Sequence, residues 1–187
     1  MIEDAESPGY CLVAVLTLAL LAPVAPAFAQ AAVGTQAPDF TLNDQYDSAS
    51  TLQAWRGEAV LIVAGDRHGN QYMSAYVRAV RARYERGQLR VVQVAHLRGV
   101  PFFLKGSIRG RFRGTNADGT LKTPVLLDWG GVLARTYGFQ ESLTNVYLVD
   151  SRGVLRYVGA GRGTDEHVRE VLDAVAMVAG AVSEPDR

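Results

Sequence analysis

Between an apolar run that ends at Ala64 and a helical stripe that begins at Tyr72 lies the segment Gly65-Asp66-Arg67-His68-Gly69-Asn70-Gln71. It places a carboxylate, a guanidinium, an imidazole and two amides on one strand-to-helix turn. Three uses are open to such a loop. Arg67 and His68, helped by the free N–H groups of the helix start, could hold an anion. Asp66 and His68 could ligate a metal if His96 or Asp128 converged on them, although the chain has only three histidines and none at ligand spacing. Asp66 could also simply cap the helix, the commonest role of an aspartate in this position.

Other reactive residues offer less. Ser74 and Ser107 lack the Gly-x-Ser-x-Gly setting of a serine hydrolase. His96, after a strand, and His167, in the first turn of the last helix, read as surface residues. Gly159-Ala-Gly161-Arg-Gly163 resembles a phosphate-cradling loop but is too short, and it reads as a bent exit from a strand. Basic charge is concentrated, with eleven Lys and Arg residues and one acid, Glu85, between Arg67 and Arg113. Seventeen of the nineteen basic residues are arginine, so composition bias accounts for much of this patch. It carries no nucleic-acid motif, and no nucleic-acid partner is expected.

The single cysteine, Cys11, opens the apolar run Cys11–Ala22, which is followed by Pro23, Pro26 and Ala27-Phe28-Ala29. That order predicts a secretory signal over residues 1–29, cleaved after Ala29, and a periplasmic or secreted protein with no stable membrane span once the signal is gone. Glu3, Asp4 and Glu6 replace the usual positive start of a leader, so an N-terminal membrane anchor is the alternative. Removal of the leader takes away three of the 19 acids and the only thiol, leaving 19 basic against 16 acidic side chains. The exported chain then has no cysteine for a structural disulfide, and its stability rests on its core.

The elements that must position the Asp66 loop follow from periodicity. Ala59–Ala64 is a continuous apolar run, the pattern of a strand buried on both faces. A helix is predicted from Tyr72 to Arg86, a strand over Leu89–Ala95, a partly helical stretch over Val100–Phe112 and a short strand over Pro124–Leu127. Val132–Tyr137 makes a brief helix, and two strands joined at Ser151-Arg-Gly153 make an antiparallel hairpin. Thr164 caps a final helix whose first turn is acidic. One domain over 33–180 accommodates all of these.

Val33-Gly-Thr-Gln-Ala-Pro-Asp-Phe-Thr-Leu42, Leu52-x-x-Trp55-Arg-Gly57, Pro124-Val-Leu-Leu-Asp128 with Ala134-x-x-Tyr-Gly138, and Val146–Gly153 resemble segments of the redoxins, the thioredoxin-like group that includes peroxiredoxins of the AhpC/TSA type. Within that group the chain looks most similar to small exported YtfJ-like proteins. The resemblance implies an α/β, thioredoxin-like fold with a central mixed β-sheet flanked by helices. It also implies where a reactive cysteine would stand, at the start of the helix after the first buried strand. Here the Cys-x-x-Cys positions become Arg67 and Asn70, or His68 and Gln71, and the residue preceding the later strand becomes Thr144. No cofactor is implied. The expectation is a cysteine-less, exported redoxin-like protein with a binding or accessory role toward an envelope protein or a small anion, not a thiol peroxidase or disulfide oxidoreductase by itself. Its site is Asp66, Arg67, His68, Asn70, Gln71 and Thr144. The alternatives are a peroxiredoxin-like oxidoreductase that uses a partner's thiols, and an anion or metal site in the Asp66–His68 loop.

Overall fold

All six residues from Val60 to Gly65 are buried, so this strand must have neighbours on both edges and cover on both faces. In the computed structural model, which describes residues 31–114 and 122–182, it has all four. The leader and Cys11 lie outside the described residues. In chain order the elements are β1 (Thr41–Asp44), β2 (Ala49–Thr51), β3 (Val60–Gly65), α1 (Asn70–Arg81), β4 (Arg90–His96), α2 (Lys105–Phe112), β5 (Val125–Asp128), α3 (Val132–Tyr137), β6 (Thr144–Val149), β7 (Leu155–Gly161) and α4 (Asp165–Val182). They form a mixed sheet of order β2-β1-β5-β4-β3-β6-β7. β3 runs parallel to β4 and antiparallel to β6, and β4 runs parallel to β5. This is an α/β, thioredoxin-like fold, as the element order implies.

Alternation along β3 divides the core in two. Val60, Ile62 and Ala64 pack with Phe40, Leu133 and Tyr137, so α3 covers one face. Leu61 and Val63 pack with Met73, Val80, Val171 and Val175, so α1 and α4 cover the other. Each fully buried aliphatic side chain contributes about 1.5–3 kcal/mol before conformational entropy is subtracted. Among the described residues no helix is long and apolar enough to cross a membrane.

α1 and the β1–β2 hairpin differ from the sequence expectation. The helix predicted over Tyr72–Arg86 is α1, Asn70–Arg81. It stops early because the Glu85 N–H bonds to the Gln88 side chain, while the Gln88 N–H returns to the Glu85 carbonyl, and these turns replace the helical ladder. The β1–β2 hairpin is not predicted by periodicity, because four and three residues rich in Thr, Asn, Ser and Asp carry no apolar run. α2 forms as expected but buries none of its residues. It is tied to the hairpin through Arg109 and Arg113, which pair with Asp47, and through the buried Gln45, whose amide donates to the Phe112 and Thr123 carbonyls.

The glycine-rich exit from β7 is a bend. Gly163 has φ of +68°, and its N–H donates to the Tyr76 hydroxyl, which docks α4 against α1. The Tyr147 hydroxyl is fully buried in the core without a hydrogen-bond partner among the described residues. Burial pushes its pKa well up, with Tyr137 and Asp128 adding to the effect, so it stays neutral. Tyr147→Phe removes an unsatisfied hydroxyl at constant shape and is expected to raise stability by about 1 kcal/mol in urea unfolding.

Candidate functional site

Asp66 leaves the end of β3 and uses both carboxylate oxygens. Oδ1 accepts the backbone N–H of His68 at 2.9 Å and of Gly69 at 2.7 Å, while its carbonyl accepts from Asn70 N at 2.9 Å. These are the bonds of an N-cap, and they satisfy the donors of the turn that leads into α1. Oδ2 turns away and accepts the N–H of Ser142 at 2.8 Å. Ser142, with φ of +63°, is held in the left-handed region, in the loop that precedes β6. Burial pushes the Asp66 pKa up. The backbone N–H groups of Gly69, Ser142 and His68 outweigh it and hold the carboxyl below its ordinary 3.8.

Asp66 thus caps the turn that precedes α1, whose own N-cap position is Gly69, with a consequence for the anion reading. The N–H groups of His68, Gly69 and Asn70 are committed to Asp66 and are not free to hold an anion. Arg67, His68 and Gln71 are exposed, and Gln71 donates back to the His68 carbonyl at 2.8 Å. Asn70 is half-buried.

Thr144 faces this loop. It is fully buried as the first residue of β6, not the residue before the strand, and its Oγ1 donates to the Gly69 carbonyl at 2.7 Å. Gly69 lies so close to the segment before β6 that a Cβ on it would stand 2.1 Å from the Leu143 carbonyl oxygen. Asp66 and Thr144 therefore clamp the same two segments from opposite sides of Gly69.

The loop opens onto a cleft of about 930 Å³ beyond the carboxyl ends of the parallel strands β3 and β4, the usual place for a ligand in an open α/β sheet. Asp66, Arg67 and Asn70 line one side, and residues from His96 to Phe112 line the other. His96 is not the surface residue its position suggested. Its side chain is 9% exposed and stacks on Phe139 with ring centroids 4.4 Å apart. Nδ1 points inward, 3.6 Å from Asp128 Oδ2, beyond hydrogen-bond length, and has no partner among the described residues. Asp128 is itself fully buried. Oδ1 and Oδ2 cap α3 by accepting the N–H groups of Val132 and Leu133, at 2.8 and 3.1 Å. Burial pushes the Asp128 pKa up, but His96 and the two N–H groups bring it below 3.8.

Among the described residues no three His, Cys, Asp or Glu side chains gather as a metal site. Asp66 and Asp128 spend their oxygens on backbone N–H groups, which is why the proposed convergence with His68 and His96 does not form. The far wall of the cleft, including Arg98 and Arg111, was not read from sequence. The arginine cluster was its one signal, and it did not say which of those residues face inward.

Asp66→Asn keeps an acceptor for His68 and Gly69 but sets an amide N–H₂ against the Ser142 N–H. The expected loss is about 1–2 kcal/mol near neutral pH. Because the folded pKa is depressed, the carboxylate's contribution is complete above its unfolded value of about 3.9 and disappears as pH falls through the lower folded value. Urea unfolding of both proteins should show a difference that is constant from about pH 7 to 5 and shrinks below about pH 4.

Residues 33–158 match the AhpC/TSA family. No curated protein sequence matches the chain. Solved structures with the same fold include a Chlorobium tepidum protein described as the thiol:disulfide interchange protein DsbE, at 17% identity and a TM-score of 0.61 over 81% of this chain and 100% of that one. The exposed lipoprotein thioredoxin Etrx1 of Streptococcus pneumoniae is 18% identical, with a TM-score of 0.53 over 73% of this chain and 98% of that one. The reduced 2-Cys peroxiredoxin of Plasmodium vivax is 16% identical, with a TM-score of 0.54 over 81% and 99%. At these identities the likeness carries the fold, and the family match does not reach as far as the YtfJ-like group. The chain belongs to the AhpC/TSA family of redoxins, and its matched region contains no cysteine.

Proposed function

We propose that this chain is a thiol-independent redoxin, exported to the cell envelope, that works by binding and not by oxidation or reduction. One observation carries the reading. The turn into α1, where the family resemblance places a reactive cysteine, is occupied by Arg67, His68, Asn70 and Gln71, and the only cysteine of the chain is Cys11. Thiol peroxidation needs a thiolate that can become a sulfenic acid, and disulfide exchange needs a thiolate that can form a mixed disulfide. No side chain in residues 12–187 can do either. The Asp66 cap and the Thr144 bond support a fixed loop in place of a reactive one.

The test is peroxide turnover with a thiol reductant, comparing the purified protein and its Cys11→Ala variant with a heat-denatured control. All three are expected to give the same rate. Turnover by the native protein above the control sinks the reading, and loss of that excess in the variant assigns it to Cys11.

Export rests on the apolar run, the prolines and the Ala27-Phe28-Ala29 site. N-terminal sequencing of the protein recovered from the envelope fraction is expected to begin at Gln30. A start at Met1 in that fraction supports the anchored alternative, and recovery from the cytosol alone removes the envelope assignment.

A further inference from the structure

Three arginines from separate segments line the cleft: Arg67 from the turn before α1, Arg98 from the segment after β4, and Arg111 from α2. Among the described residues none of the three forms an ion pair, whereas Arg109 on α2 and Arg113 just after it are both paired with Asp47. The cleft therefore keeps its positive charge while neighbouring charge is neutralised. Two carboxylates line it, Asp66 and Glu141, and the oxygens of Asp66 are taken by backbone N–H groups.

The wall between Arg98 and Arg111 is apolar. Val100, Leu104, Ile108 and Phe112 contribute to it, and α2 buries no residue of its own in the core. A helix with no buried residue that presents Ile108 and Phe112 to a cleft is arranged for an occupant with an apolar body. The His96 imidazole, nine-tenths buried, also lines the cleft, with Nδ1 3.6 Å from Asp128 Oδ2.

We propose that the cleft is a binding site for an amphipathic organic anion, a carboxylate- or phosphate-headed molecule with an aliphatic or aromatic body. The head group is held by Arg98 and Arg111, with Arg67 adding to the positive lining, and the body lies along Val100, Leu104 and Ile108. Guanidinium groups bind carboxylate and phosphate through paired N–H donors. The site rests on the thiol-independent reading and names its ligand class. It also relocates the anion contact, from the backbone N–H groups of the helix start, which Asp66 consumes, to side chains across the cleft.

Isothermal titration of the purified protein with octanoate, octanol, octyl phosphate and inorganic phosphate tests both halves of the ligand. Octanoate or octyl phosphate is expected to bind at one per chain, at least about tenfold more tightly than octanol or inorganic phosphate. The better of the two anions identifies the head group. Arg98→Gln with Arg111→Gln should weaken the anion at least about tenfold, with the thermal midpoint unchanged because both side chains are exposed. Ile108→Asn should weaken it as well, while leaving inorganic phosphate as weak as before. Equal binding of octanoate and octanol, equal binding of octyl phosphate and inorganic phosphate, or unchanged affinity in the double arginine variant overturns the proposal. Peroxide turnover is measured separately, so a failed titration beside inactive protein rejects only the ligand class, and turnover rejects the reading beneath it.

Discussion

The carboxylate of Asp66 holds together two stretches of chain that are 76 residues apart. One oxygen organises the turn from β3 into α1, and the other fixes the Ser142 N–H in front of β6. The site depends on that bridge because it sets where α1 begins, where β6 enters the sheet and how the cleft between them is shaped. The same device recurs along the chain. Asp44 accepts from Tyr46 and Ser48 after β1, Asp128 from Val132 and Leu133 after β5, and Asp150 from Arg152 and Val154 after β6. Aspartate suits this role because its short side chain reaches the backbone two to five residues on without adding bulk. Four strands thus hand over to their connections through a carboxylate, and the sheet's ends are set by charge-assisted bonds while its middle is set by apolar burial.

Much of this architecture is legible in the sequence. β3, α3 and the β6–β7 hairpin follow from apolar period and from Gly153, because each pattern is local. The Asp66 cap is legible for the same reason, since it joins residues three apart. Its second bond is not, because nothing near Asp66 announces Ser142. The β1–β2 hairpin escapes notice because its strands are short and mostly polar: β1 pairs with β5 and buries Leu42 as its one apolar residue, and β2 pairs with β1. His96 misleads in the other direction: a polar residue after a strand suggests the surface, and only the tertiary stacking on Phe139 removes it from water. The cleft gathers residues from the β3–α1 turn, the segment after β4 and the loop before β6, and no single stretch carries its pattern.

The arginine cluster shows how composition and placement separate. Arg109 and Arg113 are structural, pairing with Asp47 to hold α2 against the β1–β2 turn. Lys105 lies over the Trp129 ring, with Nζ 5.4 Å from its centroid. Such exposed pairs are each worth about 0–1 kcal/mol, but together they fix the orientation of a helix that has no buried face. With that orientation fixed, Arg111 and Ile108 line the cleft while Phe102 and Phe103, at 83% and 69% exposed, remain at the surface.

The contact between Gly69 and the Leu143 carbonyl sets how this loop can change over evolutionary time. Any side chain at position 69 must displace a backbone that also carries the buried Thr144 bond, so selection acts there through the fold and regardless of chemistry. The neighbouring positions 67, 68 and 71 are exposed and carry no such constraint. Substitutions accumulate where the backbone permits, and in this loop the permitted positions include those at which the reactive residues of a redoxin would stand. A lineage could therefore exchange the chemistry of this loop while its backbone stayed as inherited.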